Sequence, residues 1–457
     1  MRYEPIDPQL FIANRERLRR LLPPKSLAVV NANDILPANG DGTLAMIPNS
    51  DLFYLTGVEQ EQTLLLLYPD ADEEKHRELL FLREATAESE LWEGHKLTQE
   101  EARKISGIRR IHGLSEFPRL FHRLLCECEH VFLNSNEHPR AVIEVETRED
   151  RFVAETMRRY PLHEYRRLAP LLQRLRAVKA PAELALVRKA SDLTAAGYLR
   201  VLQFTQPGVS EAGVEAEFAH EFIRRGGRFA YQPIIATGLN ACCLHYVTNS
   251  SVCRDGELLL LDVAAAYANY NADVTRTIPV SGRFSRRQKQ VYHAVLRVLR
   301  QCIRGLRPGK LPREWQKEAE KMIEKELVDL GLLKSREIRS QDPDQPVFKK
   351  YFMHGVGHPL GLGVHDAVNP TQPIQAGWVI TVEPALYLHE EGFAVRLEND
   401  VLVTEKGPVD LTADIPIEAD EIEALMAARS QAPSPNGQTR VSARVGRGLG
   451  PARRWAR

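Results

Sequence analysis

Two short runs along the chain, Leu27–Val30 and Thr63–Leu67, are apolar enough to suit buried strands. The stretches Phe11–Leu22 and Phe117–Cys128 read instead as helices. Runs and helix-like stretches alternate to about Pro170, which predicts an α/β domain with helices covering a mixed sheet. No glycine-rich phosphate loop occurs in it.

The stretch Leu171–Ala190 predicts entry into a second domain. Pro181 stands where a helix would begin, because the first helical position tolerates a missing N–H. The boundary is placed near Gln173, giving an N-terminal domain over 1–173 and a second over 174–428. Two segments of the second resemble each other. Gln206-Pro207-Gly208 precedes Ser210, whose side chain is suited to cap a helix Glu211–Arg225 closed by Gly226-Gly227. Arg307-Pro308-Gly309 likewise precedes a helix Arg313–Leu330 closed by Gly331. Each follows another helical stretch and leads into strands, which points to an internal duplication.

Composition narrows the classes. A chain of 457 residues, 43% apolar, has the length for two domains and the content for a large core. Its formal net charge is zero, so no nucleic-acid partner is expected. After Glu423 there is no acidic residue, and Ser430–Arg457 is rich in Arg, Gly, Pro and Ser; 429–457 is expected to be a disordered basic tail. Cys126, Cys128, Cys242, Cys243, Cys253 and Cys302 form no CxxC pair and read as reduced thiols of a cytoplasmic protein. The start, MRYEPIDPQL, lacks the apolar segment of a secretory signal. No apolar run approaches the roughly 20 residues of a membrane span.

Isolated acids in apolar strands carry the first chemical signal. In Glu257–Ala266, ELLLLDVAAA, an apolar run is interrupted by one acid, Asp262. A carboxylate buried in a strand costs several kcal/mol unless it is paired or bound to metal. Asp273 follows beyond a turn-prone Tyr267–Asn271, so neighbouring strands would set the two carboxylates side by side, where a cation between them relieves their repulsion. Thr275 shares the face of Asp273 and is a candidate supporting donor. Alone, such a pair reads as well as one capping and one surface aspartate. Trp378–Tyr387 again carries a lone acid, Glu383, followed by a proline that ends regular pairing. Ala394–Val403 carries Arg396 and Glu398 on one face, which by themselves also fit a surface ion pair on an edge strand.

Met353–Asp366 holds His354, His358 and His365 with four glycines between them. The spacing of His354 and His358 fits one helical face, but Gly355, Gly357 and Pro359 argue against a helix and for a loop wrapped round a site. Any one of these histidines alone could be structural. Four acids beside them ask for two hard or borderline divalent cations, which can clamp a tetrahedral intermediate.

The order Asp262, Asp273, His358, Glu383, Glu398 resembles the five metal ligands of the pita-bread metallopeptidases, among them methionine aminopeptidase, prolidase and aminopeptidase P. HGVGHPLGLGVHD is similar to the signature of the proline-specific branch. NSDLFYLTG (Asn49–Gly57) and SELWEG (Ser89–Gly94) resemble the aminopeptidase P N-terminal domain. The resemblance implies a C-terminal pita-bread domain and release of an N-terminal residue from peptides with proline second. The attack would come from a hydroxide held between two divalent metals. Mn²⁺ suits the carboxylates; Co²⁺, Zn²⁺ or Fe²⁺ fits the same ligands. By the same resemblance His354, His365 and Glu383 are catalytic, and His245, His354, Tyr387 and Arg396 contact substrate. A homo-oligomer, dimer or tetramer, is implied as well. Two departures concern the pocket: AVNPTQ follows His365-Asp366 without the common glycine, and Glu383 precedes Pro-Ala rather than Pro-Gly. The rival readings are a prolidase, restricted to dipeptides, and a non-catalytic binding module of the same fold.

Overall fold

The computed structural model describes residues 3–366, 368–369 and 371–428, so the expected tail 429–457 lies outside the described residues. Near the N-terminus six strands form a sheet in the order Ile111–Gly113, Glu78–Leu82, Leu64–Leu67, Ser26–Asn31, His130–Leu133, Glu164–Arg167. Ser26–Asn31 runs antiparallel to Leu64–Leu67 and parallel to His130–Leu133, so the sheet is mixed as expected. Both of the strands read from apolar runs are buried at every position, which is why they show no alternation. The first helix is Pro8–Arg19, three residues ahead of the apolar pattern. It starts early because Asp7 accepts the Gln9 N–H at 2.9 Å and Pro8 fits the first turn.

The chain leaves this layer through the helix Ala169–Ala177, within which position 173 falls, and re-enters a helix at Pro181. Two helix pairs then follow the same plan. Pro181–Phe204 and Glu211–Arg224 precede an antiparallel sheet of Ile234–Thr237, Leu258–Asp262 and Thr275–Pro279. Arg286–Gly305 and Pro312–Asp329 precede another of Val379–Val382, Asn399–Leu402 and Val409–Asp410. Ser210 caps its helix as expected, accepting the Gly213 N–H at 3.0 Å. The recurrence is what the repeated Pro-Gly signals announced. One core cluster fills this half. A second joins the two halves, packing Leu52, Phe53, Leu65 and Leu80 with Leu360, Leu362 and Val379. All six cysteines are free thiols. Among the described residues no helix is long and apolar enough to cross a membrane.

Candidate active site

Three local structures deliver the acids. Leu258–Asp262 pairs with Thr275–Pro279, setting Asp262 opposite Thr275. Between them the chain reverses at Ala268 and Asn269, both at positive φ (48° and 65°), the geometry a two-residue hairpin turn demands. Asp273 lies just before the second strand, its N–H donating to the Asp400 carboxylate at 3.0 Å. Glu383 is the first residue past Val379–Val382. Glu398 sits at the break between Phe393–Arg396 and Asn399–Leu402. Its N–H donates to the Thr275 carbonyl at 3.0 Å, and the Thr275 hydroxyl donates to its Oε2 at 2.6 Å.

The histidine segment is a loop, as its glycines predict. It lies along Val379–Val382. Thr381 N–H donates to the His358 carbonyl at 2.8 Å, Glu383 N–H to the Val356 carbonyl at 2.8 Å, and His358 N–H to Thr381 Oγ1 at 3.0 Å. Gly357 permits this approach: a Cβ there would stand 1.9 Å from the Thr381 carbonyl oxygen.

The fold brings ligand atoms of Asp273, His358 and Glu398 within 4.8 Å of one another. His358 Nε2 lies 3.5 Å from Asp273 Oδ2 and 3.6 Å from Glu383 Oε1. Asp262 is turned elsewhere: Arg396 Nη2 donates to its Oδ2 at 2.7 Å and the Tyr231 hydroxyl to its Oδ1 at 2.6 Å. Arg396 and Glu398 are buried, so the surface ion pair is ruled out for them. Arg396 also donates to the Tyr387 hydroxyl at 2.7 Å and to Thr275 Oγ1 at 3.2 Å. The Tyr387 hydroxyl meets His354 Nε2 at 2.9 Å, and His354 Nδ1 stands 3.5 Å from Glu383 Oε2. The His365 ring lies 4.3 Å from that of His358 between centroids. His245 is exposed just beyond the turn Gly238–Cys242 and shares none of these bonds, though its charge acts on His354.

Crowding of acids sets the electrostatics. Burial pushes Glu398 well above the carboxylate range, and Asp273, Glu383 and Asp262 push it further. Burial raises Glu383 to about 7, against the pull of His358. Asp262 is raised by burial despite Arg396. Burial pulls His358 down, but Asp273 and Glu383 outweigh it and the imidazole is raised. Burial lowers His354 and His365 to about 4, helped by Arg396 in the first and His358 in the second. Buried carboxylates that cannot all ionise, beside an imidazole, are a donor set that a divalent cation fits.

Residue patterns missed three participants. Tyr231 holds Asp262 from a stretch with no periodicity to single it out. Asp400, buried and raised well above its usual range by burial and then by Asp273, holds the Asp273 backbone; a second acid in the Glu398 stretch was its only signal. Arg140 lies in the N-terminal half, yet its charge reaches His354 and His365.

Residues 185–405 match metallopeptidase family M24, and residues 11–132 match the aminopeptidase P N-terminal domain. All five expected ligands fall in the first span. The chain is 33% identical over 448 residues to the Xaa-Pro aminopeptidase of Escherichia coli (strain K12), covering 93% of this chain and 99% of that one. It is 34% identical over 433 residues to the Xaa-Pro aminopeptidase of Haemophilus influenzae, covering 91% and 96%. The fold superposes on the Zn-substituted E. coli aminopeptidase P in complex with product with a TM-score of 0.83 at 32% identity, covering 93% and 99%.

Proposed function

The chain belongs to the aminopeptidase P branch of metallopeptidase family M24, with a C-terminal pita-bread domain, and from that membership we propose that it hydrolyses the N-terminal Xaa-Pro bond of peptides. The observation that carries the reading is the Asp273, His358 and Glu398 cluster beside the chain Arg396, Tyr387, His354. We assign Asp262, Asp273, His358, Glu383 and Glu398 to two divalent ions, Mn²⁺ by preference for oxygen ligands, with Co²⁺, Zn²⁺ or Fe²⁺ as alternatives. Such ions, when bound, polarise the scissile carbonyl and activate water.

The protein's own groups divide the remaining work. Glu383, with a pKa raised to about 7, is suited to take up and return a proton near neutral pH. His365, held neutral, donates toward the oxygen that becomes negative, while His354 assists at the scissile group. Arg396 and Tyr387 fix His354 and, with His245, line the substrate side.

The named relatives are Xaa-Pro aminopeptidases, which favours an open groove over a dipeptide pocket. The division at 173/174 assigns the catalytic residues to the second domain. Free cysteines agree with a cytoplasmic setting. Exposed Leu91 and Trp92, on the short helix Ala87–Glu93, support a homo-oligomeric contact.

The test compares kcat/KM for Xaa-Pro and Xaa-Pro-Xaa substrates with each metal in turn. The tripeptide is expected to be the better substrate. Strict preference for the dipeptide would replace this reading by prolidase.

A further inference from the structure

The motif NSDLFYLTG has no part in the chemistry above, yet one of its side chains is linked through Arg176 to the histidine loop. Asp51 lies in the helix Ser50–Thr56 capped by Asn49. Its Oδ1 accepts from Arg176 Nη1 at 2.7 Å, and its Oδ2 from Asn134 at 2.9 Å. The other arm of Arg176, Nη2, donates to Asp366 Oδ1 at 2.5 Å. Lys179 Nζ stands 3.4 Å from Asp366 Oδ2. Two carboxylates thus face two cations, and the Asp366 and Lys179 side chains are only 2% and 1% exposed.

Asp366 follows His365 directly. Its N–H donates to the Pro359 carbonyl at 2.9 Å, closing the loop that begins at the His358 ligand. Gly361 is packed under its carboxylate: a Cβ there would stand 2.3 Å from Asp366 Oδ2 and 2.8 Å from Lys179 Cε. The Asn271 side chain also donates to the carbonyls of Gly361 and Leu362 at 2.9 and 3.1 Å. The backbone bearing His365 is therefore fixed through ionic contacts whose far end is in the N-terminal half.

We propose that Arg176, anchored by Asp51, is a positioning residue that sets His365 by holding Asp366. The proposal rests on the catalytic reading of His365. The guanidinium fork bonds two carboxylates at once, which a lysine ammonium cannot do with the same geometry. Removing it leaves Asp366 with a more distant cation and lets the loop relax. Outer partners of this sort cost about 10–100-fold when removed. Because the interaction acts on a group used in the transition state, the loss falls on kcat with KM nearly unchanged.

The experiment is a double-mutant cycle on the metal-loaded enzyme. R176M is made alone and in a His365→Ala background, with metal content and Tm recorded, and D51N is taken through the same cycle as the milder variant. The expected result is a kcat loss of about 10–100-fold in the parent, a loss under about threefold in the His365→Ala background, and full metal content. R176K is expected to recover only part of the loss. Equal losses in both backgrounds, a loss that tracks missing metal, or failure of both variants to fold each overturn the clamp. A silent His365→Ala overturns instead the reading of His365 on which it rests.

Discussion

Glu383 and Glu398 are carboxyl groups that burial and neighbouring acids hold protonated after an unfolded chain would have released the proton. In metal-free protein their contribution to stability is complete below the unfolded carboxylate range. It is lost as pH rises through the folded values, about 7 for Glu383, with Glu398 also raised well above the carboxylate range. His358, raised as well, is lost in the same direction. His354 and His365, lowered to about 4, act oppositely: their protonation in the unfolded chain makes stability rise with pH from about 4 to about 6.5 and then stop changing. Above about pH 6.5 only the first group acts. The Tm of metal-depleted protein should therefore fall as pH rises above about 6.5, and the gain in Tm on adding Mn²⁺ should widen in the same direction. Calorimetry at several pH values checks this; a gain that does not change with pH counts against these carboxylates as the binding set. The same acids were legible in the sequence because each stands in an otherwise apolar, strand-like stretch. Tyr231 was not, since nothing about a lone tyrosine reveals that it will meet Asp262.

At the scale of elements, the histidine loop and the strand Val379–Val382 are laid together so closely that only one of two neighbouring glycines is replaceable. A Cβ at Gly357 would meet the Thr381 carbonyl at 1.9 Å and Trp315 Cη2 at 2.9 Å, whereas at Gly355 the nearest atom is 3.8 Å away. Gly357→Ala should cost about 1–3 kcal/mol by forcing the loop off the strand. It should also weaken metal binding through His358, while Gly355→Ala stays near the parent. Chemical denaturation and metal titration of the two variants test the difference. Buried strands and glycine loops could be foreseen because they depend on local composition. The start of Pro8–Arg19 could not be placed from apolar spacing, because Asp7 and Pro8 decide it ahead of the first apolar residue. Asp273 and Glu398, expected within strands, sit beside strand ends instead.

At the scale of the whole molecule, the N-terminal half is joined to the catalytic loop by a shared core of Leu52, Phe53, Leu360 and Leu362. Chain length pointed to two domains, but it held no sign of this joint, because side chains that meet across it are far apart in sequence. The expected tail 429–457 carries no acidic residue and follows the last of the five expected ligands in sequence. Removing the chain after Arg429 should leave kcat/KM within about twofold. Steady-state assays of the shortened protein check this, and a large loss would assign the tail a role at the site or at an interface. Long-range closure has one further consequence. Thr275 and Glu398, hydrogen-bonded in the site, are 123 positions apart. On a ribosome, Asp262 and Asp273 emerge well before Glu383 and Glu398, and domains that can fold early do so first. The N-terminal sheet is thus finished while the acids of the future site are still separated, and the nascent chain offers passing cations only scattered carboxylates. If the proposed ligand set holds the metal, a chain that stops before Glu383 and Glu398 would lack part of that set.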